Sequence, residues 1–369
     1  MPADVRILLL ADTHLGFDLP VRPRVERRRR GHDFFANYRA ALEPAFAGHV
    51  DLVVHAGDVF DRPTVAPTLA YEAYEPLRRL ADQGVPVFIV PGNHERSRLP
   101  HARFASHPLL HVFHRARTFT LDVRGTTIAL SGFPYERRNV RRRFTELLEK
   151  TEWPSARADL RVLCIHHCVE GATVGPHDFT FTTGDDVIGV RDVPPDFNAV
   201  LSGHVHRHQV LMTDLRHRPV STPVLYPGSV ERTSFAEAEE TKGFMVVRLG
   251  ADEDESRVRW QFCPLPTRPM LREEVVVDAM DAKTLDTALR AIIAAAPPDA
   301  VLSIRIAGQV TDEHWHTMSA ARMRSFVPTT MNVEIAPVAR PSRQRVLPSP
   351  SGRAEPRTAQ LSFYDSLPY

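Results

Sequence analysis

Seven side chains suited to holding metal ions stand directly after apolar runs. Asp12 and His14 follow Ile7 to Ala11, two positions apart, so an extended chain turns both to one side. Asp58 follows Leu52 to Ala56, and Asn93, with His94 and Glu95 behind it, follows Val87 to Val90. His166 closes the run that begins at Leu160, while His204 and His206 come after Ala199 to Leu201. His167 is the neighbour of His166, and a one-residue shift of register would exchange them. Three oxygen-bearing side chains and four imidazoles are enough for two divalent cations if one carboxylate bridges. Nitrogen and oxygen donors without thiolate suit Mn2+, Fe2+ or Zn2+ better than Mg2+ or Ca2+.

The apolar runs read as buried strands. Between the first three lie segments with helical spacing, one carrying Phe34, Phe35, Tyr38, Leu42 and Phe46, the other Thr68 to Ala81. Later strands are separated by short turns, which predicts a mixed or antiparallel sheet packed on the first, an α/β sandwich. In an open α/β sheet the carboxyl ends of the strands border the ligand crevice, so five separated segments can converge there.

Composition narrows the field. Hydrophobic residues at 43% and charged residues at 25% of 369 are globular averages and exclude a wholly disordered or collagenous chain. Three cysteines are too few for a disulfide framework and favour a reducing compartment, and no apolar stretch reaches the length of a bilayer span. The expectation is a cytoplasmic, nucleoid-associated protein without a membrane partner. With 46 basic against 45 acidic residues, whole-molecule attraction to a polyanion is absent, so nucleic-acid binding needs local patches.

The motifs D-x-H, G-D, G-N-H-E, H and G-H-x-H, in this order, resemble those of the calcineurin-like binuclear metallophosphoesterases. Within that family the chain is similar to the SbcD-type (Mre-type) DNA repair nucleases. The likeness lies in Asp12-Thr13-His14-Leu15-Gly16, in Gly57-Asp58-Val59-Phe60-Asp61, and in Tyr226 to Phe235 followed by Lys242-Gly243-Phe244. The resemblance implies a four-layer α/β/β/α sandwich with a small C-terminal α/β capping domain. It also implies that Asp12, His14 and His206 hold one metal, Asn93, His166 and His204 the other, and that Asp58 bridges. His94 would sit beside the phosphate as the catalytic acid or stabiliser. Two cations, Mn2+ first among the candidates, would activate water for in-line attack on a phosphodiester. The implied enzyme is an exo- and endonuclease, 3'-5' in its exonuclease action, of double-strand break repair and recombination. It would work as a homodimer bound to an SbcC-type coiled-coil SMC-like ATPase. Asp61 departs from relatives with a histidine there. The alternatives are a phosphodiesterase for small nucleotides and a scaffold that binds DNA or the ATPase without cutting.

Two arginine clusters bear on substrate. Arg22, Arg24, Arg27, Arg28, Arg29 and Arg30 follow the first metal motif and are read as DNA-binding; Arg137 to Arg143 could serve likewise or form a solvated face. Phe179 and Phe181, between the last two metal motifs, are expected to be buried. The prolines of residues 264–269 mark a boundary that divides the chain into a nuclease domain (1–265), a capping domain (266–336) and a disordered Pro/Ser/Arg-rich tail (337–369). A single helix is expected at Glu313 to Arg324 in the capping domain.

Overall fold

The apolar run at the N-terminus becomes β1 (Val5–Leu10) in the computed structural model, which describes residues 4–18, 28–250 and 257–337. It is followed by α1 (Arg30–Phe46), β2 (Leu52–His55), α2 (Pro67–Asp82), β3 (Val87–Ile89) and β4 (Leu110–Val112). α2 opens on Pro67, whose fixed φ and missing N–H cost nothing at a first helical position. A hairpin of β5 (Arg117–Val123) and β6 (Thr126–Gly132) leads through α3 (Val140–Glu149) to β7 (Leu160–Ile165). Four two-residue strands come next: β8 (Cys168–Val169), β9 (Thr173–Val174), β10 (Phe179–Thr180) and β11 (Val187–Ile188). After them run β12 (Ala199–Ser202), β13 (Gln209–Thr213), β14 (Pro219–Tyr226), β15 (Gly243–Leu249) and β16 (Val258–Pro264).

Two six-stranded sheets result, ordered β16-β15-β1-β2-β3-β4 and β13-β14-β12-β7-β6-β5. Strands β1 to β4 are mutually parallel, as are β6, β7, β12 and β14. Parallel strands need cover on both faces, which explains their unbroken apolar sequences. In β1, Leu8 and Leu10 pack towards α1 and α2, among Phe34, Tyr38 and Leu77. Val5, Ile7 and Leu9 face the other way, into a core shared with Ile128, Val162 and Leu201 of the second sheet. The outer face of that sheet carries Leu163, Ile165 and Val200 against Val140 and Phe144 of α3. The layers are therefore helix, sheet, sheet, helix, as the fold reading expected.

Beyond β16 a three-stranded parallel sheet, β17 (Met270–Val276), β18 (Val301–Ala307) and β19 (Asn332–Pro337), packs on α4 (Ala282–Ala295), α5 (Asp312–Thr317) and α6 (Ala320–Arg324) over its own core. The single helix expected at Glu313 to Arg324 is thus two short ones. The backbone at Ser319 leaves the helical region (ψ 144°) and restarts as the cap of α6, a position that serine favours. The disordered tail was expected from residue 337, but Pro337 closes β19, and residues 338–369 lie outside the described residues. No helix among the described residues is long and apolar enough to cross a membrane.

Candidate metal centre

The loops after β1, β2, β3, β7 and β12 meet at one edge of the sandwich, and the backbone there is unusual. Asp12, His14, Asp58 and His204 all have positive φ, at 52°, 40°, 51° and 79°. Each such non-glycine residue costs about 1–2 kcal/mol, so the surroundings must impose the conformation. They do so through bonds between loops. Asp12 N–H donates to the Gly57 carbonyl (2.9 Å) and His14 N–H to that of Asp58 (3.1 Å). His204 N–H donates to the Asp12 carboxylate (3.1 Å), and His94 N–H to Asp58 Oδ1 (3.0 Å). Gly57 and Gly92 permit the approach: a Cβ would lie 2.1 Å from His166 Nδ1 at the first and 2.1 Å from Asp58 Oδ1 at the second.

The donor atoms fall into two adjoining groups. His14 Nε2 lies 3.1 Å from His206 Nε2, which is 3.9 Å from Asp12 Oδ1. His166 Nε2 lies 3.2 Å from Asp58 Oδ2 and 3.0 Å from Asn93 Oδ1, and the same Asn93 oxygen is 2.8 Å from His204 Nδ1. Asp58 stands between the groups, its Oδ2 also 4.0 Å from His14 Nε2.

A cation fits this arrangement because lone pairs converge. His166 Nδ1 donates to the Ala56 carbonyl at 2.7 Å, which leaves Nε2 bare towards two oxygens. His206 Nδ1 faces the Glu237 carboxylate at 3.1 Å, so its Nε2 too is bare, aimed at another imidazole nitrogen. These tautomers follow from the partners of Nδ1. Acceptors packed against acceptors need a proton or a metal ion between them. Burial and neighbouring rings push His14 and His204 well down, which keeps both neutral and able to donate a lone pair. Burial opposes the charge on Asp58, yet His166 outweighs it and holds the carboxylate ionised. The same contact lifts His166 to about 9 against the pull of burial, so a proton is the least cation this pair can share.

All seven donors read from the sequence therefore come together, and His94 joins them. Its Nδ1 lies 2.8 Å from the Asp61 carbonyl, its Nε2 is 4.0 Å from Asp58 Oδ2, and its side chain is 33% exposed where Asp58 is 2%. His166, not His167, faces the group: His167 stacks on Tyr135 and accepts from Glu136 N–H at 2.9 Å. Glu95, placed by sequence among the metal-favouring residues, turns away and accepts from the N–H of Phe60 (2.9 Å) and Gly92 (2.7 Å), bracing the loops after β2 and β3.

A cleft of about 760 Å³ opens over the centre, lined by His14, Asp58, Asn93, His94, His204 and His206, by Arg29, Arg30, Arg62 and Arg207, and by Val301, Leu302, Asn332, Val333 and Glu334 of the small unit. The arginine cluster divides. Arg22, Arg24 and Arg27 lie outside the described residues. Arg28 pairs with Asp33, Arg29 with Asp18 at 2.7 Å, and the Arg30 guanidinium lies over Phe17 and bonds the Arg232 carbonyl. Arg141 and Arg143 are paired with Glu170 and Glu136 (3.0 and 2.7 Å). Phe179 is 50% exposed, contrary to its expected burial, because β9 and β10 form a two-stranded hairpin to which no further strand is added among the described residues. Sequence reasoning missed Glu237 behind His206 and Arg62 and Arg207 at the cleft; none carries a motif.

Among known proteins the chain is similar to the DNA double-strand break repair protein Mre11 of Methanococcus maripaludis, at 23% identity over 66% of this chain and 63% of that one. The Mre11 proteins of Haloferax volcanii (31%, covering 73% and 54%) and Archaeoglobus fulgidus (26%, covering 76% and 65%) are similar too. The chain thus spans somewhat over half the length of these relatives. The family model for calcineurin-like phosphoesterases, which are built on a dinuclear metal site, matches residues 5–208. That interval runs from β1 to just past His206 and takes in every loop that supplies the centre, so the chain belongs to the calcineurin-like phosphoesterase family.

Proposed function

We propose that the protein is a metal-dependent DNA nuclease of double-strand break repair. The observation that carries the reading is the pair of donor groups sharing Asp58 at the floor of a cleft rimmed by Arg29, Arg30, Arg62 and Arg207. The similarity to DNA double-strand break repair proteins supports DNA as the substrate. Asp12, His14 and His206 would hold one cation, Asn93, His166 and His204 the other, and Asp58 both. Mn2+ suits this donor set, with Fe2+ and Zn2+ as rivals. When bound, the two ions supply Lewis acidity to the phosphoryl oxygens and make water nucleophilic at neutral pH.

The chain's own residues do the rest. His94 is held at Nδ1 by the Asp61 carbonyl, which turns Nε2 towards the cleft. From there it donates to a phosphoryl oxygen or protonates the departing sugar oxygen. Arg62, the most exposed arginine of the rim, meets the phosphate backbone and positions it without reading sequence. The small unit, whose Asn332 and Glu334 reach the cleft, caps it.

A Mn2+-dependent assay on linear duplex, circular single-stranded DNA and a small chromogenic diester tests the reading. Cleavage of DNA supports it; turnover of the diester alone makes the protein a small-substrate phosphodiesterase, and tight DNA binding without bound metal makes it a scaffold. The resemblance to SbcD-type nucleases extends the proposal to a homodimer bound to an SbcC-type coiled-coil ATPase, tested by copurification.

A further inference from the structure

Behind the centre lies a buried ionic group that the donor set does not require. Lys242 is 1% exposed, and its ammonium meets three acceptors: Glu237 Oε2 (2.7 Å), Glu240 Oε2 (2.8 Å) and the His206 carbonyl (3.0 Å). Three protons meet three oxygens, so the charge is fully satisfied. Glu237 is equally saturated. Oε2 also accepts from Thr233 N–H (3.2 Å), and Oε1 takes the Thr233 hydroxyl (2.5 Å) and faces His206 Nδ1 (3.1 Å).

We propose that Glu237, anchored by Lys242, is a positioning residue for His206, fixing its ring so that Nε2 is presented to Asp12 and His14. The proposal rests on reading those three residues as the ligands of one cation. The other rings of the centre are set differently. His166 donates its Nδ1–H to a backbone carbonyl, and His14 Nδ1 has no hydrogen bond, with Asp61 Oδ1 3.8 Å away. At His206 the outer nitrogen meets an ionised carboxylate, and the same lysine that locks the carboxylate also holds the His206 backbone. Ring and main chain are thus tied to one cation buried behind them. A carboxylate behind a ligating imidazole selects the tautomer and raises the basicity of the free nitrogen. The gain should be local: Glu237 bonds His206, Thr233 and Lys242, and no hydrogen bond or ion pair joins it to His166 or Asn93.

Titration of Mn2+ into the metal-free full chain, followed by calorimetry, tests this with wild type, Glu237→Gln and Glu237→Asp. The first variant removes the charge, and the second keeps it for Lys242 but withdraws it from the ring. In both, one of the two ions is expected to bind about 10–100-fold more weakly, while the other keeps its wild-type affinity. Unchanged affinity for both ions, equal weakening of both, or failure of both variants to fold would each overturn the proposal. A wild-type chain that binds fewer than two ions would instead remove the metal reading on which it rests.

Discussion

Arg268 pins the three-stranded unit to the helix layer of the first sheet, and replacing it with methionine should loosen the cleft. It is 6% exposed and spends all five N–H donors: Nη1 on Asp33 Oδ2 (2.9 Å) and Asn332 Oδ1 (2.7 Å), Nη2 on the carbonyls of Thr330 (2.6 Å) and Ala300 (3.3 Å), and Nε on that of Asp299 (2.5 Å). Asp33 belongs to α1 and the other four acceptors to the small unit. Removing one partner of a buried ion pair costs about 3–5 kcal/mol, because the other charge stays behind. Arg28 also pairs with Asp33 and is 43% exposed, so it relieves part of that cost and the lower end applies. About 3 kcal/mol corresponds to a fall in melting temperature of roughly 4 °C for a chain of 369 residues. Scanning calorimetry of Arg268→Met, with Asp33→Asn and the double variant completing a cycle, reads the shift and a coupling of about 0.5–3 kcal/mol. Asn332, Val333 and Glu334 line the cleft, so cleavage of DNA should fall further than turnover of a small diester. Wild-type melting together with a wild-type ratio of the two activities would refute the argument.

Three further outcomes follow from the centre. Asp58→Ala should lose both ions and all hydrolysis, because Asp58 faces both donor groups; two tightly bound ions by elemental analysis would contradict the bridge. His94→Ala should keep near-normal metal content while turnover falls about 10²–10⁴-fold; unchanged turnover would remove His94 from the mechanism. Arg62, 70% exposed and paired only loosely with Asp61 at 3.4 Å, is free to meet phosphate. Arg62→Ala should flatten the slope of log affinity for DNA against log salt by about 0.9, one phosphate contact. An unaltered slope would take it off the binding surface.

What the sequence revealed, and what it hid, follows from where each interaction has its origin. The ligand-bearing loops were legible because a strand covered on both faces must be apolar throughout, so Asp12 or Asp58 after such a run marks a strand's carboxyl end without any knowledge of partners. The order of the sheets then brings those ends together. Residues whose role depends on a partner gave no such mark. Glu95 looks like a metal-favouring residue until its acceptors turn out to be backbone N–H groups, which every residue type supplies. In the sequence Lys242 reads only as part of a family motif and Glu237 carries no mark at all, and only the fold turns Lys242 inward against His206 and Glu237. The arginines show the converse. Counting them gives a basic cluster, but Arg28 and Arg29 are paired with Asp33 and Asp18, and Arg30 spends its guanidinium on a carbonyl and two phenyl rings. Charge that is committed inside the protein does not attract a polyanion as free charge does. On the nuclease reading, the charge that meets DNA is therefore to be sought less in the cluster than in scattered residues such as Arg62, which no run of like charges announces.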